Sequence, residues 1–184
     1  ETPDHKKELS DLPISHIKLV LEMYQKRLSA ISKIKGIKFV SIFKNKGKEA
    51  GASLPHAHTQ IIAYNKVPTL IQEEIKASKK EGKCQYCLII RKEKKSKRII
   101  KENKNFISFT PYASRFPFEA WIFSKKHKTS ITDLNKNELI DLARQLKSIL
   151  SKLKKLNAPY NFYLHYAPGR TDLHFHIEVA PRLS

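Results

Sequence analysis

Apolar residues recur every three or four positions in two long stretches of the chain. Residues 14–31 carry one such stripe, and residues 136–155 carry another with leucines along one face. This spacing predicts two amphipathic helices. Asn135 followed by Glu138 predicts a capping box at the start of the second helix.

Shorter runs rich in β-branched and aromatic residues predict strands between the helices. The predicted strands are residues 37–43, 56–63, 105–111, 119–127, 160–168 and 173–181. Residues 45–51 form a loop between the first two strands, which predicts an antiparallel hairpin. Residues 66–83 are polar and predict a short helix and a linker.

The order of these elements repeats along the chain. A histidine is followed seven residues later by a leucine in "HKKELSDL" and again in "HKTSITDL". Each stretch leads into a helix, a strand, a glycine-bearing loop and a strand reading His-x-His-x-Gln/Glu. The matching residues are His5 with His127, His56 with His174, His58 with His176, and Gln60 with Glu178. The repeat predicts an α+β fold of two duplicated units, with helices packed on an antiparallel sheet.

The repeat also predicts how the chain divides into domains. Residues 1–68 are the end of a first unit that carries the candidate active site, residues 69–83 are a linker, and residues 84–184 are a second unit. A Cys-x-x-Cys pair precedes the histidine of the second unit, whereas only "ETPD" precedes that of the first. We therefore expect the chain to be truncated at its N-terminus, without the opening strands of the first unit.

Charge and composition change this picture little. The net charge of +19 would suit a nucleic-acid ligand. However, the lysines are scattered over every segment, and the densest run, residues 91–98, is typical of a solvated turn. We therefore do not expect nucleic acid as a partner. No apolar stretch approaches the roughly 18 residues of a membrane span, so we expect a cytoplasmic protein without a membrane partner.

The two cysteines form a single Cys-x-x-Cys, which in a reducing compartment favours a metal site. Zinc prefers thiolate and neutral imidazole ligands in a tetrahedron. The candidate ligands of one zinc ion are Cys84, Cys87, His127 and His174. A reduced Cys-x-x-Cys beside unrelated histidines and a redox pair remain alternatives. By the same repeat, His5 and His56 are half of a second site whose cysteines lie upstream, giving one or two zinc ions per chain.

Within the first His-x-His motif, this metal scheme leaves His58 free. A neutral imidazole is a competent nucleophile toward phosphorus, and its adduct is labile enough to turn over. Gln60 shares its face of the strand and can donate an amide hydrogen bond to a phosphoryl oxygen. Asn45 and Ser53 could supply further donors to phosphates. Two alternating histidines are by themselves more often structural than catalytic, but the loop, Gln60 and the repeat favour a catalytic role here.

At these residues the sequence resembles a known family. The segment "FKNKG…GASLPHAHTQ", residues 43–60, resembles the active-site segment of galactose-1-phosphate uridylyltransferases, of the histidine-triad superfamily. "ETPDH" and "RFPFEAWIFSKKH" match as well. The resemblance implies histidine-triad-like units, His58 as nucleophile, Gln60 on the phosphoryl oxygen, and metal binding by His5 and His56. It implies substrate contacts at Asn45, Gly51, Ala52 and Ser53.

The resemblance also implies a rival ligand set for the second metal. Some family members use a glutamate and three histidines, which correspond to Glu74, His165, His174 and His176. We favour the cysteine set, because it gives the Cys-x-x-Cys pair a role, whereas the rival set would require a separate function for it. The family's upstream segment, and the segment after the last strand that helps hold the sugar, are absent from this sequence, which suggests truncation at both ends.

The resulting functional hypothesis is ping-pong uridylyl transfer from UDP-glucose to galactose 1-phosphate through a nucleotidyl-histidine intermediate. The partners would be a nucleotide sugar and a sugar 1-phosphate, and the protein would be a homodimer. Adenylyl transfer from ADP-glucose or a dinucleoside polyphosphate to phosphate is an alternative. A non-catalytic, zinc-stabilised nucleic-acid-binding module is a second alternative.

Overall fold

A single antiparallel sheet of seven strands runs through the computed structural model, which describes residues 1–169 and 171–183. Within these residues the helices are α1 Ile14–Ile31, α2 Thr69–Ala77, α3 Gln85–Glu93 and α4 Lys136–Lys155. The strands are β1 Phe39–Lys46, β2 Gln60–Tyr64, β3 Lys79–Lys80, β4 Lys83–Cys84, β5 Ile99–Glu102, β6 Phe106–Phe109, β7 Ala120–Ser124, β8 Tyr160–His165 and β9 His176–Pro181. Short 3₁₀ helices are Leu9–Asp11, Lys48–Ala50 and Ile131–Asp133.

The strand order is β2-β1-β8-β9-β7-β6-β5, and β3 and β4 form a separate small hairpin. The first half of the chain supplies β1 and β2, and β1 pairs directly with β8 of the second half. The predicted α+β fold with an antiparallel sheet is therefore confirmed, with both halves contributing to one sheet. The division into two units at residues 69–83 stays a prediction, and this segment contains α2 and β3.

Helices α1 and α4 pack together on one face of the sheet, as their apolar periodicity predicted. Leu21 and Leu28 of α1 and Leu142 and Leu146 of α4 all belong to one buried cluster with the inward side chains of the strands. The predicted capping box of α4 is confirmed, with the Glu138 amide donating to Asn135 at 3.0 Å. Burial of these leucine side chains contributes about 2 kcal/mol each.

The opposite face of the sheet is covered only in part among the described residues. Helix α3 packs over β6 and β7 through Ile90, which contacts Phe109 and Phe123. Helix α2 approaches β8, where Glu74 meets His165. The sequence did not predict α3, because its short apolar run is flanked by the Cys-x-x-Cys and by a basic segment. The predicted turn at residues 91–98 is wrong for its first residues, which end this helix.

Both strands that carry a His-x-His motif begin later than predicted. Strand β2 begins at Gln60 rather than His56, and β9 begins at His176. In the first segment, side chains bind the backbone in place of a strand partner: the His58 ring bonds the His56 carbonyl, and Lys44 bonds the His58 carbonyl. No helix among the described residues is both long and apolar enough to cross a membrane.

Candidate active site and metal centres

The ring of His58 is oriented by its own backbone. Its Nδ1 lies 2.8 Å from the carbonyl oxygen of His56. A carbonyl can only accept, so Nδ1 carries the proton and donates it, and the neutral ring keeps its lone pair on Nε2. His58 is half-buried, as is Gln60, which lies opposite Phe43 at the start of β2. In the neutral ring, the predicted nucleophile would therefore offer Nε2 from a ring whose orientation is fixed.

A cavity of about 480 Å³ lies beside this segment, under the loop that joins β1 to β2. Three of the predicted substrate-binding residues line it: Asn45, Ala52 and Ser53. Gly51 neighbours the Asn45 side chain, whose Nδ2 donates to the Gly51 carbonyl at 3.3 Å. His58 and Gln60 are not among the lining residues. They follow His56 along the chain, which does line the cavity.

The loop has its shape because of two glycines. Gly47 and Gly51 flank the 3₁₀ helix with φ of 86° and 76°, a region that other residues rarely adopt. A Cβ on Gly47 would lie 2.8 Å from the Cβ of Pro159. The loop therefore approaches the start of β8 at a distance that only glycine allows.

His5 and His56 form the predicted half of a metal site. Their Nδ1 atoms lie 2.9 Å apart. The other ring nitrogen of His56, Nε2, lies 2.7 Å from the Thr2 carbonyl and donates to it. The Nδ1 lone pair of His56 thus faces Nδ1 of His5, an arrangement that suits a shared proton or a shared cation.

The predicted Cys2His2 set comes together at the other end of the sheet. The ligand atoms of Cys84, Cys87, His127 and His174 all lie within 4.8 Å of one another. The Cys87 sulfur lies 3.4 Å from Nδ1 of His127 and 3.4 Å from Nδ1 of His174. Two thiols and two imidazole nitrogens converging in this way can hold a metal ion.

Neighbouring groups fix both histidines of this set. Nε2 of His127 lies 2.7 Å from an Asp172 carboxylate oxygen, and Nε2 of His174 lies 2.8 Å from the Ser124 carbonyl. Each Nδ1 is therefore left for a metal, as is usual in metal sites. Burial lowers the pKa of His174 to about 4, which keeps the ring neutral. Asp172 was missed from the sequence, although it lies two residues before His174.

The Cys87 thiol is not ionised by its surroundings. Burial and the neighbouring Cys84 raise its pKa to about 11. Metal binding at this set would therefore release protons, because the thiolate is the ligand.

The rival set of ligands is not assembled as the sequence suggested. Glu74, His165 and His176 do lie together, but Glu178 joins them and His174 belongs to the cysteine group. The reason is where the strand begins: His176 and Glu178 share a face of β9, whereas His174 precedes the strand and does not follow its alternation. The two groups therefore share no residue.

Hydrogen bonds and charge pairs already occupy most of this second group. His165 bonds Glu74 at 2.8 Å, and the exposed Arg115 bridges Glu178 and the buried Glu119. Burial favours the neutral form of Glu178, but contact with His176 and the charges of His165 and Arg115 outweigh it and lower its pKa to about 2. Nε2 of His176 is buried and finds no hydrogen-bond partner within the described part of the chain.

Comparison with known proteins agrees with the resemblance. The family model "Galactose-1-phosphate uridyl transferase, N-terminal domain" matches residues 2–68, and that of the C-terminal domain matches residues 41–183. The chain belongs to the galactose-1-phosphate uridyl transferase family.

Curated relatives in this family carry two different activities. The chain is 34% identical to an ADP-glucose phosphorylase of Arabidopsis thaliana, over 100% of the chain and 55% of that protein. It is 33% identical to a galactose-1-phosphate uridylyltransferase of Thermotoga maritima, over 98% of the chain and 60% of that protein. The chain thus spans a little more than half the length of these relatives.

Solved structures give the same result. A uridylyltransferase structure superposes with a TM-score of 0.91 at 36% identity, covering 98% of this chain and 60% of that one. The structure of an ADP-glucose phosphorylase from Arabidopsis thaliana with bound ADP-glucose also has a TM-score of 0.91, at 32% identity, covering 100% of this chain and 62% of that one.

Proposed function

We propose that this chain carries the reacting half of a nucleotidyltransferase, with His58 as the nucleophile. The observation that carries the proposal is the ring of His58, whose Nδ1 is bonded to the His56 carbonyl so that Nε2 keeps its lone pair. A neutral imidazole in this tautomer can attack phosphorus without first losing a proton. The family membership supports the same chemistry.

The reaction runs in two displacements. Nε2 attacks the α-phosphorus of a nucleoside diphosphate sugar, an N–P bond forms, and the P–O bond to the sugar 1-phosphate breaks. A phosphate oxygen of the acceptor then attacks the same phosphorus, and the N–P bond breaks. Splitting one difficult displacement into two is the general advantage of covalent catalysis.

Gln60 and the loop residues would hold the phosphates. Gln60 donates an amide hydrogen bond to a phosphoryl oxygen, and Asn45 and Ser53 contribute polar side chains at the cavity under the loop. Gly51 and Ala52 contribute close backbone approach. Such donors stabilise charge that develops on the oxygens during transfer.

The proposed donor and acceptor are UDP-glucose and galactose 1-phosphate. The relatives that transfer uridylyl groups support this choice. A second candidate is transfer of adenylyl from ADP-glucose to phosphate, which the Arabidopsis thaliana relative supports over the whole of this chain. A homodimer stays a prediction, which sedimentation of the protein would test.

We also propose zinc as the metal held by Cys84, Cys87, His127 and His174. Two sulfur and two nitrogen donors are a common structural zinc set, and closed four-ligand sites of this kind stabilise folds. His5 and His56 would be two of the ligands of a second zinc ion. Both ions would act on structure, since neither set includes His58.

Loss of label exchange in a His58→Ala variant tests the proposal. The full polypeptide should exchange label between glucose 1-phosphate and UDP-glucose, and the variant should be slower by on the order of 10⁴-fold or more. His16→Gln is the matched control, because this half-buried histidine on α1 bonds only the Glu1 backbone among the described residues. Exchange by His58→Ala near the wild-type rate would refute the mechanism.

A further inference from the structure

Asn161 of β8 lies opposite Asn45 of β1, at the point where the two halves of the chain share the sheet. It is 4% exposed, and every polar atom of its side chain is bonded. Its Nδ2 donates to Oδ1 of Asn45 at 2.7 Å and to the Ala50 carbonyl at 2.7 Å. Its Oδ1 accepts from Nε of Arg182 at 2.6 Å.

The chemistry of these partners fixes the direction of each amide. Arginine can only donate, so Oδ1 of Asn161 must face Arg182. The Ala50 carbonyl can only accept, so the Asn161 amide nitrogen must face the loop. Oδ1 of Asn45 is then committed to Asn161, and the Asn45 amide nitrogen turns toward the loop and cavity.

The amide nitrogen of Asn45 makes the weakest hydrogen bond of this network. Its one hydrogen bond among the described residues, to the Gly51 carbonyl, is 3.3 Å long, at the weak end of the range for such bonds. A phosphate oxygen in the cavity could therefore take this donor at little cost. Had the Asn45 amide been flipped, it would present an oxygen to an anion instead.

Arg182 is itself held in place. Its guanidinium lies 4.2 Å from the centre of the Phe116 ring, and its backbone amide bonds the Pro159 carbonyl at 2.8 Å. Arg182, which sets the direction of these hydrogen bonds, thus follows β9 in the second half of the chain. Asn45, whose amide donor they orient, belongs to the first half.

We propose that Asn161, held by Arg182, is a positioning residue that presents the Asn45 amide to a phosphate group of the nucleotide substrate. This inference rests on the proposed function, and it adds two residues from the second half of the chain to the site. Asn161 itself acts through Asn45 and Ala50 and does not touch the substrate.

The test is a double-mutant cycle between Asn161→Asp and Asn45→Ala in the full polypeptide. An aspartate has the same shape and keeps the Arg182 bond, but it cannot donate to Asn45. The Asn45 amide then turns its nitrogen to the new carboxylate and away from the cavity. We expect Asn161→Asp alone to weaken UDP and ADP binding and lower kcat/KM by about tenfold or more. In the Asn45→Ala background the same change should cost severalfold less, and the remaining loss is that of the bond to the Ala50 carbonyl.

Equilibrium binding separates this inference from the proposed function. If the wild type binds UDP or ADP but transfers no nucleotidyl group, the proposed function fails, and the cycle measured on binding still decides the role of Asn161. An equal loss in both backgrounds, no loss in the wild-type background, or no nucleotide binding at all would overturn the inference. Should Asn161→Asp fail to fold, Arg182→Met, which frees the Asn161 amide to flip, goes through the same cycle with the same criteria.

Discussion

His58 and His176 occupy matching positions in the two halves of the chain, and each ring bonds the carbonyl two residues before it at 2.8 Å. The histidine before each is also held alike, with Nε2 of His56 on the Thr2 carbonyl and Nε2 of His174 on the Ser124 carbonyl. Hydrogen bonds to backbone carbonyls therefore fix the same histidine tautomers in both halves of the chain.

The surroundings of the two rings differ. His58 is half-buried beside a glycine-bearing loop and is followed by the neutral Gln60. His176 is 0% exposed, stacks on Phe123 at 4.6 Å between ring centres, and is followed by an ionised Glu178. Orientation of the imidazole is thus shared by both halves, whereas of the two rings the His58 ring is partly exposed and the His176 ring is buried.

Removing a thiol ligand should have the largest effect on stability, and it should fall on the second half. We expect Cys87→Ser to release about one zinc ion and to lower the free energy of unfolding by several kcal/mol, because metal binding is coupled to folding. Metal analysis and denaturant unfolding measure both.

Glu74→Gln is the matched control for this change. Glu74 lies in the neighbouring group of carboxylates and histidines, and we expect the variant to keep its metal. Loss of metal from Glu74→Gln together with its retention in Cys87→Ser would reverse the assignment of the second site.

Glu178 should make the second half sensitive to acid. The folded pKa of Glu178 is about 2, below its usual value, so the charged form stabilises the fold. This contribution is complete above about pH 5 and is lost as the pH falls from about 4.5 to 2. It amounts to at most about 3 kcal/mol.

Glu178→Gln should therefore be less stable than the wild type at pH 7 and should approach it near pH 2, when both are unfolded by denaturant in the presence of a chelator. Glu102→Gln is the control, since Glu102 is exposed and pairs with Lys125 at the sheet edge. A constant difference between Glu178→Gln and the wild type from pH 7 to pH 2 would contradict the pKa argument.

Gly47→Ala should have the smallest effect on stability, and this effect should fall on the first half of the chain, in the loop between β1 and β2. The new Cβ would meet Pro159, so the loop must shift, at about 1–2 kcal/mol and with weaker nucleotide binding. Gly36→Ala is the control, because Gly36 also has positive φ but nothing within 4 Å of the added Cβ. Titration of UDP into both variants measures the difference, and equal binding would count against the loop's role.

Features that depend on nearby residues could be predicted from the sequence. The two long helices follow from apolar spacing, and the Cys84, Cys87, His127 and His174 group follows from the repeat of motifs. Each of these signals lies within a short stretch of chain or in its copy.

Features that depend on how distant strands align could not be predicted. The bond between Asn161 and Asn45 exists because β1 pairs with β8 in one register, which neither strand's sequence specifies. The grouping of Glu178 rather than His174 with His165 likewise depends on β9 beginning at His176, after His174. The Arg115 bridge joins a loop to that strand over a separation of 63 residues.

The most direct test of the contrast between the two rings is covalent labelling. The full polypeptide is incubated with α-labelled UDP-glucose or ADP-glucose, quenched in base because N–P bonds hydrolyse in acid, and digested for peptide mass analysis. We predict a nucleotidyl group on the peptide that carries His58, and none on the peptide that carries His176. Label on His176, or unlabelled His58 with both donors, would contradict the account.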